Sequence, residues 1–258
     1  MKFLPIIIII FAALILNACK NNSHKTDYLK YKVEEVNSLT NFLSTKPDSA
    51  GLRLIVANKL DSIGEYKNAL LQIDTLLKND SNKYGLWVAK ANILSDSGNF
   101  SEAKKSLQKA VAIYPGNEAV LSLSEILANE KNDSCLILAK QFKGIQNAYY
   151  NYISALYFYN KDSLAKADSL LNKSTAQNAF FTKPYLVKGK ILQQNNQLQN
   201  ALSIFKAGLK FEPKNISLLN AVAETFIQMK EADSAKTYFA ESLATKPFQP
   251  RIPKEFKN

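Results

Sequence analysis

The chain has one histidine, His24, and two cysteines, Cys19 and Cys135. One imidazole cannot supply a histidine-rich metal set, and no metal-spaced cluster accompanies it. There is no Gly-x-Ser-x-Gly elbow and no phosphate loop. This inventory speaks against an enzyme, and no cofactor is expected. Acid pairs such as Glu34-Glu35 read as solvated faces of amphipathic helices. Glycine is scarce, at 8 residues of 258, and helix formers dominate. No block of like charge occurs, although the net charge is +11. The longest apolar run, residues 3–16, is broken only by Pro5 and is shorter than the roughly 20 residues of a membrane-spanning helix.

That run follows Lys2 and ends in Leu16-Asn17-Ala18-Cys19. A positive charge, a short apolar core and small residues at the end describe an export signal. The ending resembles the lipobox of bacterial lipoproteins. The resemblance implies a signal peptide over 1–18, cleavage before Cys19, and acyl chains on the Cys19 thiol and amine. Two or more chains hold a protein firmly to a bilayer, whereas one binds marginally. The alternative is an ordinary signal cut at Ala18. Residues 19–26 read as a lipidated polar tether. Lys20 stands where many inner-membrane lipoproteins carry aspartate, which implies the outer membrane, facing the periplasm. Processing removes Lys2 and leaves a charge of +10. A basic exported chain favours anionic partners over nucleic acid. With Cys19 thioether-linked, Cys135 has no disulfide partner.

Leu, Ala and aromatic residues recur at three- and four-residue spacing, the helical period. Ala69 to Ala103, Ala167 to Ala201 and Ala201 to Ala235 are each separated by 34 residues. On that frame the segment from Tyr84 carries Trp87, Ala91, Leu94, Ala103, Leu107, Ala110 and Pro115. The segment from Thr182 carries Tyr185, Gly189, Leu192, Ala201, Phe205, Gly208 and Pro213. The segment from Ile216 carries Leu219, Ala223, Phe226, Ala235, Phe239, Ser242 and Pro247. This pattern resembles the tetratricopeptide repeat, a 34-residue helix-turn-helix unit. The resemblance implies an all-α, right-handed superhelix, or solenoid, of antiparallel hairpins over 27–247. Repeats fall near 50–83, 84–117, 148–181, 182–215 and 216–247, with a degenerate, shortened unit at 118–147 that places Cys135 in packing. Tyr28–Ser44 reads as a capping helix. Residues 248–258 read as a basic, non-helical tail.

A stack of hairpins offers a concave groove. In the resembled family the first helix of each hairpin lines it, chiefly through positions 2, 5, 9 and 12. Carried over, the fourth unit presents Tyr149, Tyr152, Leu156 and Tyr159. The fifth presents Lys183, Leu186, Lys190 and Gln193, and the first two units place Asn58 and Asn92 at position 9. Tyr149, Tyr152 and Tyr159 either form a recognition surface beside Lys183 and Lys190 or pack between units. Tyr150 and Phe158 fall on the core side. Some family members clamp a terminal carboxylate with a lysine, but Leu54 and Val88 stand at that position. The expected function is a membrane-anchored scaffold or adaptor that binds a periplasmic protein or peptide. The alternative is a lipoprotein that binds glycan, peptidoglycan or a small molecule.

Overall fold

The computed structural model describes residues 33–142, 147–249 and 251–257. The signal, Cys19, the tether and the start of the capping helix lie outside the described residues. The remainder is all-α, with thirteen helices in stacked pairs. α1 covers 33–45. Six hairpins follow: α2 (Ala50–Ser62) with α3 (Tyr66–Asn79), α4 (Tyr84–Asp96) with α5 (Phe100–Ile113), and α6 (Asn117–Asn129) with α7 (Ser134–Leu138). Then come α8 (Asn147–Asn160) with α9 (Leu164–Gln177), α10 (Lys183–Gln194) with α11 (Leu198–Phe211), and α12 (Ile216–Gln228) with α13 (Ala232–Thr245). No described helix is long and apolar enough to cross a membrane.

Each hairpin turns in the same way. The amide of the third residue past the first helix's end bonds back five residues, as in Glu65 N to Leu60 O at 2.9 Å and Gln197 N to Leu192 O at 2.8 Å. The same bond closes the turns at Asn99, Asn132, Ser163 and Glu231. This is the Schellman closure, which needs a left-handed residue just before the bonded amide. Gly64 and Gly98 supply it without steric cost, while Lys131, Asp162, Asn196 and Lys230 adopt positive φ of 56–63°. Side chains cap some helix starts: the Asn99 and Asn215 carboxamide oxygens accept from Glu102 N and Leu218 N.

The small residues sit where helices cross. Ala57, Ala69, Ala103, Ala155, Ala167, Ala201, Ala223 and Ala235 have no exposed surface. The bulky residues beside those crossings, Ile73, Leu107, Leu171, Phe205 and Phe239, are equally buried. Gly189 takes a small position because the Phe205 ring occupies the space its Cβ would fill. Close helix approach through small residues, with large ones filling the flanks, is the packing that holds a hairpin stack together.

The third unit departs from the pattern. Its second helix, α7, is five residues long and runs into a 3-10 turn, Ala139–Phe142. Cys135 is fully buried there, and burial pushes its thiol up to about 11, so it packs rather than reacts. With that helix cut short, α6 lies against α8 more closely than any other pair of successive first helices.

Among its described residues the tail is not helical apart from a 3-10 turn at Lys254–Phe256. It is nevertheless seated. Ile252 is 3% exposed and Phe256 packs on Phe239 at 5.2 Å. Gln249 donates to Ser242 O (3.0 Å) and Lys246 O (2.7 Å). The tail therefore covers the outer face of the last hairpin, a role usually filled by a further helix.

Candidate functional site

The expected groove residues divide into two groups. Asn58 and Asn92 are exposed and line one cavity of about 570 Å³, together with Asp61, Tyr84, Gly85, Val88, Asp96 and Glu118. The 34-residue register brings the two carboxamides to the same place on successive first helices, α2 and α4. Tyr84 forms one wall. Its hydroxyl accepts from Ala119 N of the next repeat at 3.2 Å and its ring meets Tyr114 of its own repeat edge-on, so the wall is fixed from both sides.

This cavity is acidic in a basic chain. Three carboxylates line it, and no lysine or arginine does. Asp61 is pushed up to about 6, first by burial and then by the charge of Asp96; Lys246 opposes the shift. Its Oδ1 is buried without a hydrogen-bond partner. A carboxyl held this way costs stability once ionised. The folded protein keeps the Asp61 proton to higher pH than the unfolded chain. Stability therefore falls as pH rises from about 4 to about 6, and the full penalty is present above that. At face value the shift is worth about 3 kcal/mol; partial exposure and screening reduce it to about 1 kcal/mol. Asp61→Asn removes the charge and keeps the shape. It should melt about 2–4 °C above the parent at pH 7.5, with the gap closing by pH 4.5. A gap that is absent at pH 7.5, or that grows on acidification, would contradict this account of Asp61.

The tyrosine patch is different. Tyr152, expected to face the groove, is 5% exposed and sits edge-on to Phe181 at 5.1 Å. Burial, and secondarily Glu125, raise its hydroxyl well above the ordinary range. Above it Lys183 Nζ lies 2.6 Å from Glu125 Oε1, an ion pair that spans from α10 to α6 across α8. Tyr149 is half-buried between Phe142 (5.4 Å) and Phe181 (4.6 Å). Tyr159 is half-buried and accepts from Gln194 Nε2 at 3.0 Å. Leu156 is buried, Leu186 packs against the C-terminal core, and Tyr150, expected in the core, is only half-buried. Packing describes Tyr149, Tyr152 and Leu156; Tyr152 is buried where a groove-facing ring was expected, and Tyr150 packs against the core while keeping part of its surface exposed. Lys183 already has a carboxylate partner. Lys190 is exposed, and its charge acts on Glu224.

Sequence reasoning did not single out Asp61, Asp96, Tyr84 or Glu118. Asp61 had a signal, because it stands at position 12 of its repeat, one of the groove positions. Among the described residues no group of three or more His, Cys, Asp or Glu is arranged to hold a metal ion.

Residues 84–117 and 182–215 match the tetratricopeptide repeat family. No curated protein matches this sequence. Among solved structures, a tetratricopeptide repeat protein from Parabacteroides merdae is similar with a TM-score of 0.63 at 11% identity, covering 91% of this chain and 95% of the other. Yeast Tom70 gives 0.52 at 16% identity, over 89% of this chain and 57% of its own. PilW, a type IV pilus biogenesis factor, gives 0.50 at 17% identity, over 79% and 96%. These likenesses are of fold. Two units of the chain thus match the tetratricopeptide repeat, and its architecture is the tetratricopeptide-like fold of stacked helix pairs.

Proposed function

We propose that this protein is a lipid-anchored adaptor of the bacterial cell envelope that holds an extended, cation-bearing peptide segment in the groove of its first two repeats. Tetratricopeptide-repeat proteins mediate protein–protein contacts, and the cavity of the first two repeats is an open stretch of groove suited to that. The observation that carries the reading is the shared cavity of Asn58 and Asn92, closed below by Asp61 and Asp96. A carboxamide offers a donor and an acceptor, the complement of a peptide unit. Two of them on successive helices fit an extended backbone. The carboxylates add attraction for lysine or arginine at low dielectric. Of the tyrosines that a glycan-binding reading needs, Tyr149 and Tyr152 are packed on Phe181 and Tyr159 is bonded to Gln194.

Random-peptide display on the purified protein tests the groove reading: recovered sequences should be rich in Lys and Arg. Acidic or purely apolar sequences would contradict it. The anchor rests on Leu16-Asn17-Ala18-Cys19. Cys19→Ser should abolish fatty-acid labelling and leave an unprocessed or soluble form. A Cys19→Ser protein with undiminished labelling and full membrane partition would sink the anchor and leave the groove untouched.

A further inference from the structure

We infer that residues 246–249 are a strap that fastens the last repeat to the turns of the first two, closing the superhelix on itself and gating the acidic groove. Two contacts of different kinds make the closure. Lys246 Nζ lies 2.7 Å from Asp96 Oδ2, across 150 residues of sequence. Two residues on, the Phe248 ring meets Tyr66 edge-on at 6.0 Å and lies over Gly64. Gly64 and Tyr66 flank the turn of the first repeat, and Asp96 ends the first helix of the second.

The strap is held at its far side. Gln249 bonds Ser242, Lys246 and, through Asn220 Nδ2 at 2.8 Å, the last first helix, α12, while Ile252 is buried in the C-terminal core. Lys246 and Phe248 therefore project from a seated segment. Gly64 and Gly98 share the same left-handed conformation, with φ of 83°. At Gly98 nothing lies within reach of a Cβ, whereas at Gly64 a Cβ would overlap the Phe248 ring. Glycine at 64 thus serves both the turn and the close approach of the strap. One partly exposed ion pair and one aromatic contact favour the closed form by about tenfold. That makes a latch that opens and recloses. Asp96 belongs to both latch and cavity. A cationic ligand seated on Asp96 must displace Lys246, so groove occupancy and closure oppose each other. This gating rests on the groove reading above, but the closure itself does not.

Zero-length carbodiimide coupling on the full chain in detergent-extracted membranes reads the closure directly. The Lys246–Asp96 cross-link, quantified by mass spectrometry in the monomer band, is divided by the Lys104–Glu130 cross-link. The latter pair has a similar distance, 2.8 Å, and joins neighbouring repeats. Asparagine tolerates the left-handed region, so Gly64→Asn keeps the turn and pushes Phe248 away. Loss of the aromatic contact takes closure from about tenfold favoured to near balance, so the ratio should fall about twofold in Gly64→Asn and stay at the parental value in Gly98→Asn. Phe248→Ala, which alters no helix, should match Gly64→Asn and serves if the latter loses the control link through misfolding. Absence of the Lys246–Asp96 link in the parent while Lys104–Glu130 forms would overturn the closure. So would an unchanged ratio in Phe248→Ala. A Lys/Arg-rich peptide recovered by display should lower the parental ratio at saturation; bound peptide that leaves it unchanged would remove the gate. Failure to recover any cationic peptide would count against the groove reading and leave the cross-link result standing.

Discussion

Tyr152→Ala should destabilise the protein by about 3 kcal/mol or more, the usual cost of removing a buried aromatic ring. In a chain of this size that lowers the melting temperature by about 6–12 °C. The ring is packed on Phe181 and roofed by the Glu125–Lys183 pair, so its loss leaves a cavity between three repeats. Removing the ring also deprives Glu125 of the Tyr152 hydroxyl, a hydrogen bond to a charged group worth about 1.5–3 kcal/mol. Tyr152→Phe, which deletes that bond and keeps the packing, should therefore lie between parent and alanine variant. Tyr150→Ala should cost about 1 kcal/mol, because that ring is only half-buried. A thermal melt of the three variants decides the matter. A silent Tyr152→Ala beside a damaging Tyr150→Ala would restore the groove-facing assignment.

The second large effect is on binding. Asn58→Ala with Asn92→Ala should weaken a groove-bound peptide by about thirtyfold. Each carboxamide contributes roughly 1 kcal/mol of net hydrogen bonding to a peptide unit, and 2 kcal/mol is about one and a half decades. Folding should change little, because both side chains are exposed. The on-rate should also fall with added salt in parent and double variant alike, because Asp61, Asp96 and Glu118 remain to steer a cationic ligand. Titration calorimetry with a display-derived peptide measures the affinity, and a melt serves as the control. Equal affinity for parent and double variant would place the binding surface elsewhere.

The hairpin register was legible because sterics leave few choices at a helix crossing. Ala69, Ala103, Ala167, Ala201 and Ala235 must be small wherever helices approach closely, and that requirement is written in the sequence at a fixed spacing. The turns were less legible. A left-handed residue recurs at every one, but only Gly64 and Gly98 announce it; Lys131, Asp162 and Lys230 are ordinary residues forced there by the Schellman bonds. The facing of the tyrosines was misread for a tertiary reason. The frame assumes equal units, whereas the five-residue α7 lets α6 close onto α8. Phe181, between α9 and α10, then fills the space over Tyr149 and Tyr152. Position in a repeat predicts exposure where successive first helices keep their usual separation, as at Asn58 and Asn92, and fails where α6 closes onto α8. The tail's return to Gly64 had no local signal, since a contact across such a separation depends on the summed rotation of all the units.

The partner is expected in the groove of the first two repeats. A photo-reactive phenylalanine at Gly85 tests this in the cells that make the protein. Gly85 is exposed, lines the cavity, and has open space where a side chain would extend. The same probe at Phe180, an exposed ring at 79% that does not line this cavity, gives the comparison. Irradiation should trap one partner through position 85, at a segment carrying Lys or Arg, with the yield cut severalfold by Asn58→Ala and Asn92→Ala. A partner trapped through position 180 and not through position 85 would contradict the account.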